Sequence, residues 1–530
     1  MKSNRFLKLF GAALFAVMAL YYGWRMFALT PWYDELYTYY CFISKGPLYA
    51  AIHWPLPNNH VGYSVLSACL DYLGNPYIGL RGISWLCALA NLYLLYRIAE
   101  RYLKSGMAFV TVILYTSMNL VNQQAVQGRG YTLGITCFLL AWYCMAQICE
   151  TQKSVPKRVY VCYIGALVLG LYTISSNVYW VVPLCLAGGC YLLLKGVRAK
   201  EKASYGKDLI RLIAASAIAA LITIFLYTII WVAIGSNLLV KEEAGPYYGM
   251  GHVKMILSAP FAAIGKGMEY MLATPYIQSE ERAGFAGRLG EYLKILSGSY
   301  YNSLGVAVII LWLAGILFLI FNLVKNPETT SSKSPAVKNG LLYLVLLFEI
   351  LFVPVCLLIQ CKRPYYRVFT YGGVLLALLL GVLLEAAGDT FVRKLSDKKQ
   401  RGIGIAGVLL AVVFGIKCLG FSGYNEQYGT REHEIADVLA HAEVEQRETF
   451  CVTDCNQEYL LYFLYGIRCE NREIEGADML ILDKRMMEPL DEMVWEFYHY
   501  YETIPWEYIE QNMTRAYENE DYVLFLKLQR

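Results

Sequence analysis

Apolar runs long enough to cross a bilayer recur along this 530-residue chain, and they constrain its fold more than any other feature. A hydrocarbon core about 30 Å thick needs roughly 20 apolar residues of helix. About eleven such runs occur; they begin near Phe6, Tyr77, Gly106, Gly130, Val159, Asn177, Leu212, Tyr301, Gly340, Tyr365 and Gly402. Only 17% of the residues are charged, which suits a bilayer better than water. The sequence predicts an all-α membrane domain over residues 1–421 with interfacial helices in its outer loops, and the first run reads as an anchor.

Lysine and arginine in the short connections predict how these spans are oriented, because basic residues near span ends resist translocation. The N-terminus and every second connection are basic, at residues 97–104, 153–158, 195–211, 325–338 and 393–401. These segments are assigned to the cytoplasmic side. The opposite, outer side then holds residues 30–75, 122–129, 235–300, 361–364 and the tail.

The C-terminal tail, residues 422–530, differs from the rest in charge. Residues 424–530 hold 24 of the 42 acidic residues and only 9 of the 46 basic ones. Strand-like pieces at 449–452, 479–482 and 522–528, with helical stretches at 459–465 and 493–501, predict a small α/β extracytoplasmic domain. The segment 477–483 reads as a buried core strand. Cys451, Cys455 and Cys469 allow at most one disulfide there, and the sequence leaves its formation open.

Two adjacent carboxylates, Asp34 and Glu35, follow the first span in the loop PWYDELYTYY. A carboxylate held near low dielectric suits a general base or a metal ligand. Two acids where a chain leaves the membrane are solvated by water, with no function, about as often as they serve such a role. The pair is therefore a candidate site that needs support from other residues.

Arginines supply that support, because five of them fall at about the depth of the lipid phosphates. They are Arg25, Arg81, Arg129, Arg363 and Arg367. A single arginine at a span end usually snorkels to the interface. Guanidinium groups also bind phosphate through two parallel hydrogen bonds, so five together predict a phosphate site. The basic residues lie in short loops and not along one soluble face, which excludes nucleic acid as a partner class.

Polar residues of the first outer loop are candidates for substrate contact. His60 follows Asn58 and Asn59, whose amides suit sugar hydroxyls. Together with Asp34 and Glu35, His60 could also supply a divalent metal site, and the sequence leaves the need for such a cofactor open. His53 is more simply an interfacial imidazole.

The order of several motifs resembles the GT-C type of polytopic glycosyltransferase that uses polyprenyl-phosphate sugars, in particular glycosyltransferase family 39. The motifs are the Asp34–Glu35 pair, PNNHVGYSVL at 57–66, GNPYIGLRGISWL at 74–86, QGRGYTL at 127–133 and RPYYRVFTY at 363–371. The resemblance covers the first 150 residues well and the rest by topology.

The resemblance implies roles for individual residues. Asp34 would deprotonate an acceptor hydroxyl, with inversion at the sugar carbon, and Glu35 would support it or hold a metal. Donor phosphate would bind to Arg81, Arg129 and to Arg363 or Arg367, while Asn59, His60 and Tyr131 would contact substrate.

The predicted protein is thus a multi-pass plasma-membrane enzyme that moves a sugar from a polyprenyl-phosphate donor to a lipid, protein or polysaccharide acceptor on the outer face. The N-terminus would be cytoplasmic. Two other classes remain open: a flippase or exporter of lipid-linked saccharides, and a membrane scaffold. No nucleotide-binding GxxxxGK[ST] loop or GxSxG elbow occurs, so ATP-driven transport by this chain is disfavoured.

Overall fold

The computed structural model describes residues 2–52, 59–151, 155–198, 202–234, 259, 261, 279–325, 339–392, 397–421, 431–442, 444–446, 448–469 and 473–528. His53, Asn58 and most of the 235–300 loop lie outside these residues. The first half of the chain forms α1 (Lys2–Ala28), α2 (Tyr33–Cys41), α3 (Pro47–Ile52), α4 (Val61–Asp71), α5 (Pro76–Tyr102), α6 (Ser105–Thr116), α7 (Asn119–Val126), α8 (Tyr131–Glu150), α9 (Lys157–Thr173), α10 (Val178–Arg198) and α11 (Lys202–Ile234).

The second half continues with α12 (Phe285–Tyr300), α13 (Gly305–Lys325), α14 (Gly340–Gln360), α15 (Gly372–Val392) and α16 (Asp397–Phe421). The C-terminal part comprises α17 (Glu432–Leu439), β1 (Phe450–Val452), α18 (Cys455–Tyr465), β2 (Met479–Asp483), α19 (Trp506–Asn512), β3 (Met513–Glu518) and β4 (Tyr522–Lys527).

Helices lie at every predicted span, and the chain is a multi-pass membrane protein. Eight of the described helices are long and apolar enough to cross a bilayer. The helices at the other three predicted positions are α6, α9 and α16; α6 has 12 residues, α9 has 17, and the apolar part of α16 is limited to Ala406–Cys418. The mostly helical membrane architecture is confirmed, and the predicted number of about eleven spans is not.

The membrane helices share one apolar core. Helix α8 packs against α5 and α9, and α10 packs against α11 and α14. Trp142, Trp180 and Phe138 lie fully buried where these helices meet. This packing fixes the helix ends that carry the polar residues of the predicted site.

Local signals determine where α2 and α5 begin. The Asn75 side chain accepts hydrogen bonds from the backbone N–H groups of Tyr77 (3.0 Å) and Ile78 (3.2 Å), and Pro76 occupies the first turn of α5. In α2, the Glu35 carboxylate accepts from the Trp32 N–H at 3.2 Å, and two acids in the first turn complement the helix dipole. The segment predicted as an acidic loop is therefore a helix.

The C-terminal part forms a four-stranded sheet in the order β1-β2-β4-β3. Strands β1 and β2 are parallel, with α18 as their crossover, and the other two pairs are antiparallel. All five residues of β2 are buried, as expected of a core strand. Three strands lie where the pattern predicted them, whereas β3 was missed. The predicted helix at 493–501 is wrong, because these residues form turns and extended backbone that ends at a short 3₁₀ turn, Tyr501–Thr503. Cys451, Cys455 and Cys469 are buried free thiols.

Candidate active site at the start of helix α2

Asp34 and Glu35 are adjacent in sequence but point in different directions, because successive residues of an α-helix are rotated by about 100°. Glu35 is fully buried. Its carboxylate accepts two hydrogen bonds from Arg81, Nε at 2.7 Å and Nη2 at 2.9 Å, and a third from the Gly128 N–H at 2.6 Å. With the Trp32 N–H, this makes four donors to one carboxylate.

Arg81, like Glu35, is held by several hydrogen bonds within the protein. It is fully buried, and besides Glu35 it donates to the backbone carbonyls of Met26 (3.0 Å) and Leu29 (2.5 Å). Glu35 and Arg81 therefore fasten the start of α2 to α5 and to the end of α1. The predicted roles of Glu35 in catalysis and Arg81 in phosphate binding stay predictions, and these contacts favour a positioning role for both.

Asp34 faces a different set of partners. Its Oδ2 lies 2.9 Å from Arg367 Nη2, and the two side chains are 16% and 22% exposed. The contact is an ion pair whose geometry falls short of an aligned hydrogen bond, and Asp34 Oδ2 is shielded from solvent. Among the described residues, one charge contact thus holds the Asp34 carboxylate, whereas four hydrogen bonds hold that of Glu35.

Arg129 approaches α2 from the turn between α7 and α8. Its Nη1 donates to Thr38 Oγ1 at 2.6 Å and to the backbone carbonyl of Asp34 at 3.2 Å. Gly128 and Gly130 permit this close approach. A Cβ on Gly128 would lie 2.3 Å from Leu80 Cδ1, and one on Gly130 would lie 2.4 Å from Thr173 Cγ2. The QGRGY motif is therefore a tightly packed turn that directs an arginine toward Asp34.

His60, at the start of α4, completes one side of the site. Its Nδ1 accepts a hydrogen bond from the Gly130 N–H at 2.9 Å, which assigns the proton of the neutral ring to Nε2. Arg129 Nη2 lies 3.3 Å from that Nε2. Burial, and then the positive charges of Arg129 and Arg367, lower the pKa of His60 well below its usual 6.5. Two N–H donors thus face each other where an anionic oxygen could accept from both.

Arg367 lies between two aromatic rings. Its guanidinium carbon is 5.1 Å from the centre of the Trp32 ring and 4.6 Å from that of Tyr365. Its Nε donates to the Tyr131 hydroxyl at 3.0 Å, and the Tyr131 ring meets His60 edge to face at 5.0 Å. We call Asp34, His60, Arg129, Tyr131 and Arg367 the Asp34 cluster. With His60 neutral, these five residues carry one net positive charge.

The remaining predicted residues lie outside the Asp34 cluster. Arg363 pairs with Glu280, which also pairs with Arg288. Asn59 donates to the Ala50 carbonyl at 3.0 Å and accepts from the Ser64 hydroxyl at 2.7 Å, which ties α3 to α4. Arg25 donates to the Asn122 carbonyl at 2.6 Å. The five arginines predicted at one depth are therefore divided among different contacts, and only Arg129 and Arg367 belong to the cluster.

The described residues contain no group of three or more histidine, cysteine, aspartate or glutamate side chains that could hold a metal ion. Asp34 faces a guanidinium and Glu35 is enclosed by four donors, so neither presents a carboxylate suited to a divalent cation. The candidate metal ligands Asp34, Glu35 and His60 do not fit such a site in this arrangement.

Sequence reasoning missed several residues of the site. Thr38 accepts from Arg129, Trp32 and Tyr365 stack on Arg367, and the Gly128 N–H binds Glu35. Thr38 was detectable in principle, because it lies one helical turn after Asp34. The Gly128 contact has no sequence signal, since any residue supplies a backbone N–H.

The C-terminal part packs directly against α2 on the side away from the membrane core. Tyr40 donates to buried Glu458 of α18 at 2.6 Å, and its ring lies 4.8 Å from that of Tyr459. Tyr33 meets Trp495 edge to face at 4.7 Å. Helix α2 is therefore held between the membrane helices and α18.

Part of the sequence and the overall fold are similar to those of known proteins. Residues 62–231, roughly a third of the sequence, match the family described as dolichyl-phosphate-mannose-protein mannosyltransferase. The fold is similar to that of ArnT from Cupriavidus metallidurans bound to undecaprenyl phosphate, with a TM-score of 0.53, 12% identity and 97% of each chain covered. Comparison with curated protein sequences gives no match.

A weaker structural likeness extends to the archaeal oligosaccharyltransferase AglB from Archaeoglobus fulgidus. The TM-score is 0.48 at 11% identity, over 90% of this chain and 70% of the other. The family match covers roughly a third of the chain, and the likeness to ArnT is a likeness of fold. The segment 62–231 is thus similar in sequence to the mannosyltransferase family named above.

Proposed function

We propose that this protein transfers a sugar from a polyprenyl-phosphate donor to an acceptor hydroxyl, with inversion and with Asp34 as the general base. The observation that carries the proposal is the 2.9 Å contact between Asp34 and Arg367. It places a candidate base beside a cation suited to phosphate. The similar family and the similar structure support the donor class, since the first is named for dolichyl phosphate and the second is bound to undecaprenyl phosphate.

The donor phosphate would bind to Arg367, Arg129 and the Nε2–H of His60. A phosphodiester carries one negative charge, which matches the net charge of the Asp34 cluster. Because the Arg367 guanidinium lies against the rings of Trp32 and Tyr365, its planar fork is already held in place for a phosphate oxygen. Tyr131 fixes the other edge of that guanidinium.

Donor binding would also prepare the base. In the structure Arg367 contacts Asp34. A phosphate competes for this guanidinium, so the Asp34 carboxylate loses its ion-pair partner and becomes free to accept a proton. Binding and activation of the base are thereby linked through one arginine.

In the reaction, Asp34 takes the proton of the acceptor hydroxyl as its oxygen attacks the anomeric carbon of the sugar. The bond between that carbon and the phosphate oxygen breaks, and polyprenyl phosphate leaves with its electron pair. Attack from the face opposite the leaving group inverts the anomeric configuration. A positioned base of this kind contributes about 10²- to 10⁴-fold to the rate.

Residues outside the Asp34 cluster would act through it. Glu35 and Arg81 hold the first turn of α2, so we assign them as positioning residues, and Asn59 positions His60 by tying down the start of α4. Arg363 is the more peripheral of the two late arginines because Glu280 already neutralises it.

The proposed setting is the plasma membrane, with the N-terminus in the cytoplasm and both the Asp34 cluster and the C-terminal domain, residues 422–530, outside. The basic connections on the opposite side support this orientation. The acceptor is then a lipid, protein or polysaccharide of the cell envelope.

The test compares membranes containing the wild type, Asp34→Asn or Asp491→Asn, each supplied with radiolabelled polyprenyl-phosphate sugars. Asp491 is an exposed acid and serves as the matched control. We expect Asp34→Asn to lower transfer at least about 100-fold while still binding undecaprenyl phosphate, and Asp491→Asn to behave as wild type. Covalent product also separates transfer from transport. Unchanged transfer by Asp34→Asn would remove Asp34 from the mechanism, and a product of retained configuration would contradict inversion.

A further inference from the structure

A cavity of about 420 Å³ lies between α12, α13, α14 and the start of α15, and none of the Asp34 cluster residues lines it. Its walls are mostly apolar; they include Leu293, Leu296, Trp312, Ile350, Phe369 and Leu375. Glu349 is the carboxyl group in this lining. The cavity therefore combines a hydrocarbon-like wall with one strongly polar side chain.

Glu349 lies near the middle of a membrane helix, as the tenth of the 21 residues of α14. Gln360 ends this helix eleven residues later, about 16 Å away along the axis. Glu349 is 1% exposed, its two carboxyl oxygens are covered by neighbouring atoms, and within the described part of the chain neither oxygen has a hydrogen-bond partner. Burying a carboxyl group without a partner costs on the order of several kcal/mol. An unpaired Glu349 inside a membrane helix is therefore expected to bind a ligand or to serve a function.

A second acceptor lies beside it. Pro354, inside α14, lacks the N–H that would bond the carbonyl of Ile350 one turn earlier, and both residues line the cavity. The tyrosine hydroxyls of the lining are already used, because Tyr300 donates to the Phe369 carbonyl at 2.6 Å and Tyr371 to the Tyr179 carbonyl at 3.2 Å. Glu349 and the Ile350 carbonyl thus form a small polar spot in an apolar chamber.

The polar spot restricts the kind of molecule that fits. A plain hydrocarbon chain, including the chain of a lipid-linked donor, would fill the apolar walls and leave Glu349 unpaired. An ammonium group would have to be desolvated at mid-bilayer depth, which is expensive. A hydroxyl group donates and accepts, so it can satisfy the carboxyl in either protonation state at less cost.

We propose that the cavity between α12, α13, α14 and the start of α15 binds a neutral amphiphile, a long apolar chain with a single hydroxyl group. The Glu349 side chain turns toward the cavity to pair with this hydroxyl, beside the Ile350 carbonyl. This site is independent of the Asp34 chemistry. The chain connects the two places, because Phe369 lies two residues after Arg367 and lines the cavity with Tyr371 and Gly372.

Trp312 provides a reporter inside the cavity for a binding experiment. The full-length protein in nanodiscs is titrated with a dibrominated C18 alcohol or with the dibrominated C18 alkane of the same length. Quenching of Trp312 is the fluorescence difference between each protein and its Trp312→Phe counterpart. We expect the alcohol to bind at least tenfold more tightly than the alkane in the wild type and in Glu349→Gln, which keeps a hydrogen-bonding group.

The preference for the alcohol should disappear in Glu349→Leu and persist in Glu385→Gln. Glu385 is the matched control, because it also lies on a membrane helix but accepts from the Lys104 N–H at 2.8 Å. Leu375→Trp should fill the cavity and abolish quenching by both probes. Equal binding of alcohol and alkane in the wild type, or displacement of the alcohol by undecaprenyl phosphate in proportion to its binding, would overturn the proposal. Asp34→Asn should bind the alcohol normally, so a failure of the proposed transferase mechanism would leave this result unchanged.

Discussion

The buried ion pair between Glu35 and Arg81 provides a quantitative test of how α2 is held. Both side chains are fully buried, and their closest atoms are 2.7 Å apart. Two unit charges with centres about 4 Å apart attract by about 4 kcal/mol at an effective dielectric constant of about 20. Removing one partner of a buried pair leaves the other charge uncompensated and typically costs about 3–5 kcal/mol.

We therefore expect Glu35→Gln and Arg81→Gln each to lower the free energy of unfolding by about 3–5 kcal/mol. The double variant should lose clearly less than the sum of the two, because no buried charge remains. The coupling energy should be at least about 2 kcal/mol, within the range seen for residues that share one network. The measurement is unfolding in mixed micelles of a mild detergent and SDS, followed by tryptophan fluorescence.

Additive losses in this double-mutant cycle, or a loss below about 1 kcal/mol in either single variant, would refute the reasoning, since such values belong to exposed ion pairs. Glu100→Gln, which breaks the exposed 3.9 Å pair with Arg97, is the matched control and should change stability by less than about 1 kcal/mol.

Four further predictions follow from individual contacts. Arg367→Lys should raise the donor KM at least about tenfold, because lysine lacks the planar fork and the stacking on Trp32 and Tyr365. The control Arg363→Lys should change the donor KM less than about twofold. Steady-state kinetics with a polyprenyl-phosphate sugar measure both values. The lowered pKa of His60 means that the unfolded chain, not the native protein, takes up a proton as the pH falls below 6.5. The free energy of unfolding should therefore decrease on acidification by up to about 1.4 kcal/mol per pH unit, and this decrease should be smaller in His60→Asn. Burial raises the pKa of Asp454 from 3.8 to about 7, so its effect on the pH dependence of stability is opposite to that of His60: the native protein loses stability as the pH rises from about 4 to 7. Asp454→Asn should remove that dependence from thermal melts. Tyr40→Phe should speed amide hydrogen exchange in α18 by about 10- to 100-fold, since the lost hydrogen bond to buried Glu458 is worth about 1.5–3 kcal/mol. The control Tyr465→Phe changes a residue that is 44% exposed, and it should leave this exchange rate unchanged.

The membrane architecture could be predicted because it depends on local quantities. A run of about 20 apolar residues predicts a span from its own composition, and helices occur at each predicted position. The strand at 479–482 could be predicted for the same reason, because its own run of apolar residues indicates a core strand, and β2 is fully buried as expected. The helix predicted at 493–501 failed because aromatic and acidic residues there pack irregularly around β1 and α18, with Tyr498 bonded to the Thr453 carbonyl at 2.9 Å.

The Asp34–Glu35 pair separates what the sequence determined from what the tertiary structure decided. The sequence determined that two acids follow the first span and that arginines lie at similar depth, because charge and hydropathy are properties of the residues themselves. Which acid meets which arginine depends on helix rotation and on contacts between residues far apart in sequence. The structure pairs Glu35 with Arg81, 46 residues away, and Asp34 with Arg367 from the opposite part of the chain. Among the described residues, four donors enclose Glu35, whereas Asp34 lies beside the Arg367 guanidinium, and this difference makes Asp34 the candidate base.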